Sequence, residues 1–340
     1  MSTQIGVIGA GSFGIALAFL LSNNGHDVTV WSRSDASVAK LREYHGNKDK
    51  LPGVILSDNV KFTSSMQQAV SGKDILVLVV PSAHMRETVK LMAPFINTDS
   101  EDQPIIVNCT KGIEESTLMV MSDVILDELP GSRVCVLSGP SHAEEVGKKL
   151  PTTIVVGAFD KETAKEVQNI FMNDVFRVYI SPDMLGIEIG AALKNVIALA
   201  AGMADGYGLG DNAKAALITR GIAEISRLGM AMGGKFETFA GLSGIGDLVV
   251  TCASMHSRNR RAGILIGQGK TMQEAMDEVK MVVEGVYSAK AALTLARQYD
   301  VDMPIVQGVN EILFEGKSVE EGITDLMIRE KRRENSSLDW

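Results

Sequence analysis

Cysteine and histidine are both scarce in this sequence, which has three cysteines and five histidines among 340 residues. The cysteines, Cys109, Cys135 and Cys252, form no CxxC pair, and no Cys/His cluster has the spacing of a metal site. This pattern argues against a disulfide framework and against a zinc centre. We expect a cytoplasmic protein with reduced thiols and no metal, in which Cys252 is a small buried residue.

The chain also has no excess of positive charge, because it contains 33 lysines and arginines and 42 aspartates and glutamates, which gives a net charge of −9. A broad basic face for nucleic acid is therefore not expected, although one basic pocket could still bind a small anion. The apolar run from Phe13 to Leu21 is shorter than the roughly 20 residues that cross a bilayer, and it lacks the basic flank of a signal peptide. We expect no membrane insertion.

What the sequence does contain, close to its start, is a glycine-rich turn. Gly9, Gly11 and Gly14 follow the apolar segment Gln4–Ile8 and precede a second strand-like segment, Asp27–Trp31. In a βαβ unit the first glycine permits the tight turn and the second lets the backbone approach a pyrophosphate. The third lets helix and strand pack closely, and the helix N-terminus binds the anion. In this context the motif predicts dinucleotide binding rather than a simple loop.

Apolar and amphipathic segments alternate through the first half, a pattern typical of a doubly wound, largely parallel sheet. The predicted strands are Ile5–Gly9, Val28–Trp31, Ile75–Val80, Ile105–Cys109, Val134–Ser138 and Thr153–Val156. Later segments read as helices: Ile187–Ala204, Ala213–Met232, Met272–Val279 and Ser288–Gln298. Because 340 residues are many for one core, we predict an α/β fold with two domains, an N-terminal Rossmann-type doubly wound sheet (1–187) and a mainly α-helical domain (188–340).

Ligands of such sheets bind at the carboxyl ends of the strands. Three segments follow predicted strands at that edge: Pro81-Ser82, Thr110-Lys-Gly112 and Ser138-Gly-Pro140. We expect them to border one cleft, with Lys111 placed for chemistry rather than for solubility.

The end of the second strand bears on the choice of nucleotide. NAD enzymes usually carry an acid there for the ribose hydroxyls, whereas this chain has Arg33 and no acid before Asp35. A guanidinium pairs with a 2′-phosphate that a carboxylate would repel. The pattern favours NADPH, with NADH as the second choice; the alternative is that Arg33 is a solvated loop charge.

Lys194 interrupts the segment Ile187–Ala201, which is otherwise almost wholly apolar or small. A helix that is apolar on nearly all sides is buried, and burial lowers the pKa of a lysine into the range of a general acid or base. The alternative is a lysine that extends to solvent at a domain boundary.

Two further charged segments have two interpretations each. Asp247, in a glycine-rich and apolar stretch, could be the partner of Lys194 or could cap a helix. The basic segment Ser257-Arg-Asn-Arg-Arg261 suits a phosphate, but by itself is equally a surface turn. Together with the glycine turn, these residues favour hydride transfer to or from a phosphorylated carbonyl compound.

At these residues the chain resembles the bacterial NAD(P)-dependent sn-glycerol-3-phosphate dehydrogenases. The similar segments span nearly the whole chain: Gly9-Ala-Gly-Ser-Phe-Gly14, Val80-Pro-Ser82, Thr110-Lys-Gly112, Leu137-Ser-Gly-Pro-Ser141, Lys194-Asn-Val-Ile-Ala198, Gly202-Met-Ala-Asp-Gly206, Leu217-Ile-Thr-Arg-Gly221, Gly244-Ile-Gly-Asp-Leu248, Ser257-Arg-Asn-Arg-Arg261 and Val283-Glu-Gly285. The resemblance implies reversible reduction of dihydroxyacetone phosphate to sn-glycerol 3-phosphate, the glycerophospholipid backbone precursor. It leaves a homodimer open.

The resemblance also implies roles for individual residues, with Lys194 as the proton donor and acceptor. The implied substrate-binding residues are Lys111, Gly139, Ser141, Lys194, Asn195, Asp247, Thr251, Ser257, Arg258 and Asn259. The implied cofactor-binding residues are Gly9, Gly11, Ser12, Phe13, Gly14, Arg33, Lys111, Ala143, Arg258, Val282 and Glu284.

Two other functions compete with this interpretation. A 3-hydroxyacid dehydrogenase of the 6-phosphogluconate type also carries a helix lysine followed by asparagine, so Lys194-Asn195 does not discriminate; the segment Ser257–Arg261 favours the glycerol phosphate enzyme. A nucleotide-sensing module without chemistry would have no need of a lysine within an apolar helix.

Overall fold

The computed structural model describes residues 2–100, 102–331 and 333–334. Eight strands of the N-terminal part form one sheet. They are β1 (Gln4–Ile8), β2 (Asp27–Trp31), β3 (Lys61–Thr63), β4 (Ile75–Leu78), β5 (Ile105–Asn108), β6 (Arg133–Ser138), β7 (Thr152–Ala158) and β8 (Phe176–Ser181). Every residue of β4 and β5 is buried, as expected for parallel strands covered on both faces.

The order of the strands confirms the predicted doubly wound sheet. They lie side by side as β3-β2-β1-β4-β5-β6-β7-β8, and all neighbours are parallel except β6 and β7. Ile5 of β1 pairs with Val28 of β2 on one side and with Ile75 of β4 on the other. Strand order therefore reverses between β1 and β4, and a reversal of this kind opens a crevice at the carboxyl ends of the two strands.

Helices cover both faces of the sheet. Along β4, Ile75 and Val77 join one apolar cluster with residues of α1, α2, α6 and α7, while Leu76 and Leu78 join another with residues of α3 to α5. These helices are α1 (Ser12–Asn23), α2 (Asp35–Tyr44), α3 (Met66–Val70), α4 (Met85–Met92), α5 (Met121–Glu128), α6 (Ala143–Gly147) and α7 (Lys161–Phe171). Two short 3₁₀ turns, Ser82–His84 and Ala93–Phe95, flank α4.

The sequence analysis misses two strands, β3 and β8. β3 has only three residues, too few for a clear pattern. β8 is the last strand of the sheet, and along it the buried Phe176 and Val178 alternate with the exposed Arg177 and Tyr179. Because one face of this edge strand meets solvent, it lacks the continuous apolar run by which the other strands were identified.

The second part of the chain is helical, as predicted. Its helices are α8 (Met184–Tyr207), α9 (Asp211–Ala231), α10 (Phe236–Phe239), α11 (Asp247–Ala253), α12 (Arg258–Gly267), α13 (Met272–Val279), α14 (Glu284–Gln298), α15 (Pro304–Phe314) and α16 (Val319–Ile328). A π-helical turn, Leu242–Gly246, leads into α11. By length and composition alone, Met184–Tyr207 and Phe236–Ala253 could each cross a membrane; 94% of the apolar window in the first is buried inside the protein.

Helix α8 belongs to both cores. Met184 and Ile187, in its first turn, pack with residues of the sheet, whereas Ile189 and Leu193 pack with the other C-terminal helices. α12 crosses α8 closely at Gly263, where a Cβ atom would lie 2.2 Å from the carbonyl oxygen of Leu199. This close crossing brings the first turn of α12 to the side of α8 that carries Lys194.

Candidate active site

A cleft of about 1510 Å³ opens where the strand order reverses and runs from β2 to helices α8, α11 and α12. This volume exceeds the roughly 300–1,000 Å³ of ordinary small-molecule sites and suits an extended ligand. Most of the predicted site residues line it: Gly9, Gly11, Ser12, Phe13, Arg33, Lys111, Ser141, Ala143, Lys194, Asn195, Asp247, Thr251, Ser257, Arg258, Asn259, Val282 and Glu284.

Two of the predicted site residues do not line the cleft directly. Gly14 packs against the backbone of Gly9. Gly139 contacts Lys111, whose Nζ is 3.3 Å from the Gly139 carbonyl oxygen. The hydroxyl of Ser141 donates to the same oxygen at 3.0 Å. Of the three strand-end segments expected to border the cleft, Ser138–Pro140 does not line it and contacts it through Lys111 and Ser141.

The glycine turn has the tight backbone and the close approaches that its sequence predicts. Gly9 has φ +122°, and a Cβ atom there would lie 2.8 Å from the carbonyl oxygen of Val79. At Gly14 a Cβ atom would lie 2.0 Å from the carbonyl oxygen of Gly9, so helix and turn touch directly. Gly11, the N-cap of α1, has no side-chain hydrogen bond to the helix and open space around it. The N–H groups of the first turn are thus free to bind an anion.

Asn47 supports the glycine turn, and the sequence analysis did not identify it. Its Nδ2 donates to the carbonyl oxygen of Ala10 at 2.7 Å, and its Oδ1 accepts from Lys50 N at 3.0 Å. This contact orients the peptide between Ala10 and Gly11. No local motif marks Asn47, because its partner is 37 residues away in the sequence.

At the β2 end of the cleft, the charges are those expected from the sequence. Arg33 is exposed and lines the cleft together with Ser34 and Lys40. Asp35, the first acid after β2, instead accepts a hydrogen bond from the hydroxyl of Ser64, on the loop after β3. Directly after β2 the cleft therefore presents a cation and hydroxyl groups, and farther along its lining the cations Lys40, Lys48 and Lys50 alternate with the acids Glu43 and Asp49.

The centre of the cleft is a buried carboxylate shared by two lysines. Asp247 Oδ2 is 2.6 Å from Lys111 Nζ, and Asp247 Oδ1 is 3.0 Å from Lys194 Nζ. Lys194 is 5% exposed and Asp247 is 2% exposed, so both charges are withdrawn from water. Of the two interpretations of Asp247, its contact with Lys194 is present, and Asp247 is the first residue of α11 rather than its N-cap.

Burial and charge act in opposite directions on these groups. Burial lowers the pKa of Lys194 to about 8; Asp247 acts against this lowering, while Lys111 adds to it. Burial alone would raise the pKa of Asp247, but the two ammonium groups hold it below its usual range. Cys252, one residue after Thr251, is buried, and burial raises the pKa of its thiol to about 12, which makes it inert at neutral pH.

Glycines near Asp247 allow its helix to approach α8. A Cβ atom at Gly190, on α8, would lie 2.8 Å from the carbonyl oxygen of Ser243, in the π-helical turn. At Gly244 it would lie 2.0 Å from the carbonyl oxygen of Phe239. The glycine-rich composition around Asp247 thus serves close packing, and the packing places the carboxylate against Lys194.

Hydrogen bonds inside the protein hold the remaining polar residues of the centre. Lys194 Nζ donates to Thr251 Oγ1 at 2.7 Å, and this hydroxyl donates to the carbonyl oxygen of Asp247 at 2.6 Å. Asn259 Nδ2 donates to Asn195 Oδ1 at 2.9 Å, and Asn259 Oδ1 accepts from the backbone of α14. These bonds join α8, α11, α12 and α14 around the cleft.

The basic segment 257–261 is the start of a helix rather than a loop, and its arginines diverge. Ser257 is the N-cap of α12, and its hydroxyl accepts from Arg260 N. Arg258 lines the cleft and donates to the carbonyl oxygen of Val282 at 3.1 Å; burial lowers the pKa of this guanidinium. Arg260 points away and pairs with Asp205 at 2.7 Å. The segment is therefore not a surface turn, but only part of it faces the cleft.

Glu284, the first residue of α14, connects the helical part to the sheet. It accepts from the hydroxyl of Ser82 at 2.5 Å and from Ser82 N at 3.2 Å, next to Pro81 at the end of the β4 segment. Burial raises the pKa of this carboxyl, against the effect of Ser82 and of Arg258. The contact joins α14 to the sheet at the wall of the cleft.

Comparisons with known proteins match both parts of the chain to one family. Residues 4–164 match the N-terminal model, and residues 183–324 the C-terminal model, of NAD-dependent glycerol-3-phosphate dehydrogenase. A relative from Agathobacter rectalis, named glycerol-3-phosphate dehydrogenase, NAD(P)+, is 59% identical over 99% of both chains. One of the same name from Bacillus subtilis is 48% identical over 98% of this chain and 97% of its own.

A solved structure leads to the same assignment. The crystal structure of glycerol-3-phosphate dehydrogenase from Coxiella burnetii superposes with a TM-score of 0.92 at 34% identity, over 96% of this chain and 99% of the other. Matches to both domains and to relatives of equal length decide between the dehydrogenase and the two alternatives that the sequence left open. The chain belongs to the NAD-dependent glycerol-3-phosphate dehydrogenase family.

Proposed function

We propose that this chain catalyses the reversible, NAD(P)H-dependent reduction of dihydroxyacetone phosphate to sn-glycerol 3-phosphate and so supplies the backbone of glycerophospholipids. One observation carries the proposal: two lysines share the buried Asp247 in a cleft that continues to an uncapped helix N-terminus at the glycine turn. Such a cleft combines proton transfer, a positive field for a developing oxyanion, and a site for a dinucleotide.

The residues present fit a nicotinamide dinucleotide. The free N–H groups after Gly11 suit the pyrophosphate, Arg33 suits a 2′-phosphate, and Glu284 is one of the residues that would hold the cofactor in the cleft. When bound, the reduced cofactor supplies a hydride to the ketone carbon. The cations at Arg33 and Lys40 support a preference for NADPH over NADH.

Lys194 is the proton donor in this proposal. Its ammonium, held by Asp247 and Thr251, protonates the oxygen of the ketone as that oxygen gains negative charge, and the reverse reaction returns the proton. A positioned acid of this kind contributes about 10²–10⁴-fold to the rate. Lys111 adds positive charge at the same oxygen, and Ser141 and Gly139 shape the site beside it.

The phosphate of the substrate binds at the first turn of α12. Arg258 supplies a guanidinium, Ser257 and Asn259 stand beside it, and the helix N-terminus adds a positive dipole. Binding energy from this group, which takes no part in the chemistry, orients the carbonyl toward Lys194.

An assay of nicotinamide absorbance tests the proposal. The purified chain with NADPH and dihydroxyacetone phosphate should consume NADPH, and with sn-glycerol 3-phosphate and NADP⁺ should run in reverse. 6-Phosphogluconate is the matched control substrate, because it addresses the competing hydroxyacid enzyme. Turnover of 6-phosphogluconate alone, or of no substrate at all, would contradict the proposal.

Replacing Arg33 by Ala should raise the KM for NADPH by about tenfold or more, since a hydrogen bond to a charged group contributes about 1.5–3 kcal/mol. The KM for NADH, which lacks the 2′-phosphate, should change little. Asn47→Ala is the matched control: it disturbs the turn that both cofactors use and should weaken both equally. Equal effects of Arg33→Ala on the two cofactors would remove Arg33 from the 2′-phosphate site.

Arg258→Lys should raise the KM for dihydroxyacetone phosphate by about tenfold or more, because lysine keeps the charge but loses the planar fork. Arg260→Lys is the control on the same helix, since Arg260 pairs with Asp205 outside the cleft. Steady-state kinetics of both variants measure the KM for dihydroxyacetone phosphate. An Arg258→Lys variant with the KM of the wild type for substrate and cofactor would show that Arg258 does not bind the phosphate.

We extend the proposal to organisation and location. A division into a dinucleotide-binding domain (1–187) and a helical substrate domain (188–340) is supported by the separate apolar clusters that meet within α8. We place the chain in the cytoplasm without membrane insertion; the burial of α8 supports its being a core helix rather than a membrane span. The net charge of −9 speaks against a nucleic-acid partner. Light scattering would test whether two copies associate.

A further inference from the structure

Glu188 is a buried carboxylate to which the proposed reaction assigns no role. It lies on α8 and is 3% exposed. One oxygen accepts from Asn108 Nδ2 at 2.8 Å and from Ser122 N at 2.9 Å, and the hydroxyl of Ser122 donates to the other oxygen. A carboxylate is tolerated inside a protein only when its oxygens are bonded in this way. All these donors lie in the sheet domain, at the end of β5 and the start of α5.

Asn108 continues the connection to the loop that carries Lys111. Its Oδ1 accepts from Thr110 N at 2.9 Å, and its Nδ2 also donates to the carbonyl oxygen of Thr110 at 3.3 Å. The hydroxyl of Thr110 donates to the carbonyl oxygen of Val80 at 2.7 Å. Because Thr110 directly precedes Lys111, the hydrogen bonds that link Glu188 to Asn108 and Asn108 to Thr110 constrain the backbone that leads into Lys111.

These contacts form a closed path that begins and ends on α8. In order, the path is Glu188, Asn108, Thr110, Lys111, Asp247 and Lys194. Glu188 and Lys194 are separated by about 9 Å along the helix, since each residue of an α-helix advances 1.5 Å. We propose that Glu188 is a positioning residue, which sets the location of Lys111 relative to Lys194 across their shared carboxylate; this inference rests on the proposed function.

The proposal has a consequence for proton transfer. Asp247 raises the pKa of Lys194, whereas Lys111 lowers it. If the loop moves so that Lys111 leaves Asp247, the pKa of Lys194 rises, and the positive charge beside the reacting oxygen is lost. Reduction requires Lys194 to be protonated, so the fall in kcat/KM at alkaline pH, expected near pH 8 in the wild type, would shift to higher pH.

None of the other ionisable groups named near this path takes over the hydrogen bonds of Glu188 to Asn108 and Ser122. Burial raises the pKa of Glu188 to about 7, and the negative charge of Asp123, beside Ser122, raises it as well. Near Lys194, burial and the lysine itself lower the pKa of His142, and Cys252 stays a neutral thiol. A glutamine fits the same partners as Glu188, because its oxygen accepts from Asn108 and Ser122 N while its NH₂ donates to the Ser122 hydroxyl.

The test measures reduction of dihydroxyacetone phosphate against pH, together with thermal unfolding and NADPH binding, for Glu188→Ala and Glu188→Gln. We expect Glu188→Ala to lower kcat about tenfold or more, since small displacements of catalytic groups have such effects, and to shift the alkaline limb upward with NADPH affinity unchanged. Glu188→Gln should have the kcat and the alkaline limb of the wild type. The control is Glu224→Ala: Glu224 is 1% exposed and bonds the backbone at the start of α15, outside the cleft.

Glu224→Ala should lose thermal stability but keep the kcat and pH profile of the wild type. If Glu188→Ala behaves like Glu224→Ala, the inference is overturned and Glu188 is structural only. If Glu188→Ala does not fold, Ser122→Ala removes one donor and should give a smaller loss of kcat with a limb shift; a profile identical to the wild type would then overturn the inference. Absence of turnover in the wild type would instead contradict the proposed function itself.

Discussion

Lys194→Met is expected to lower kcat by about 10²–10⁴-fold, the contribution of a positioned general acid, while the affinity for NADPH stays unchanged. Methionine keeps most of the bulk of the lysine stem, so the substitution separates chemistry from packing. The glycine turn, which binds the pyrophosphate in our proposal, is not altered by the change. The measurements are kcat at saturating dihydroxyacetone phosphate and a fluorescence titration with NADPH.

Lys111→Met is the matched control, because Lys111 contacts the same carboxylate from the other side. It should raise the KM for the substrate and lower kcat less than Lys194→Met does. If Lys194→Met keeps nearly normal turnover while Lys111→Met loses it, the two lysines exchange roles. The pH profile gives a second check, since the alkaline limb near pH 8 should disappear only in Lys194→Met.

Asp247→Asn is expected to have the second large effect, on activity and on stability together. The variant leaves two ammonium groups, one of them fully buried, without their counter-charge. Removing one partner of a buried ion pair costs about 3–5 kcal/mol. Without Asp247, which raises the pKa of Lys194, that pKa should fall from about 8 to a lower value. At neutral pH the lysine would then lose the proton that reduction needs.

Urea unfolding and a pH profile of kcat/KM test this prediction. The alkaline limb should move to lower pH, opposite to the shift expected for Glu188→Ala. Asp205→Asn is a fitting control, because Asp205 also lies on a helix, α8, and binds two cations, Arg260 and Lys214, but outside the cleft. It should lose stability without moving the limb. A limb that stays near pH 8 in Asp247→Asn would mean that Asp247 does not tune Lys194.

Local features of the chain could be predicted because each is encoded within a few residues. The turn at Gly9 needs a positive φ, and the approach at Gly14 excludes a Cβ atom, so both requirements appear as glycine in the sequence. Lys194 stands out because the segment around it on its helix is almost wholly apolar or small. Buried parallel strands such as β4 are visible for the same reason.

Elements with solvent-exposed residues were harder to predict from the sequence. β8 alternates between buried and exposed residues, and the charge pattern 257–261 did not reveal which arginine faces the cleft. Arg258 and Arg260 are two residues apart, which on a helix directs their side chains about 200° apart. Only the helical conformation of α12 therefore separates Arg258, which lines the cleft as Arg261 does, from Arg260, which pairs with Asp205.

The sequence by itself determined the doubly wound sheet, the dinucleotide turn, the helical second half and the presence of a buried lysine, because these depend on local pattern and composition. Tertiary structure alone decided that Asp247 binds Lys111 as well as Lys194, that Asn47 supports the glycine turn, and that Glu188 reaches the loop of Lys111. The physical reason is distance along the chain: Lys111 and Asp247 are 136 residues apart. Their contact depends on how closely α8, α11 and the sheet pack, which no local pattern encodes.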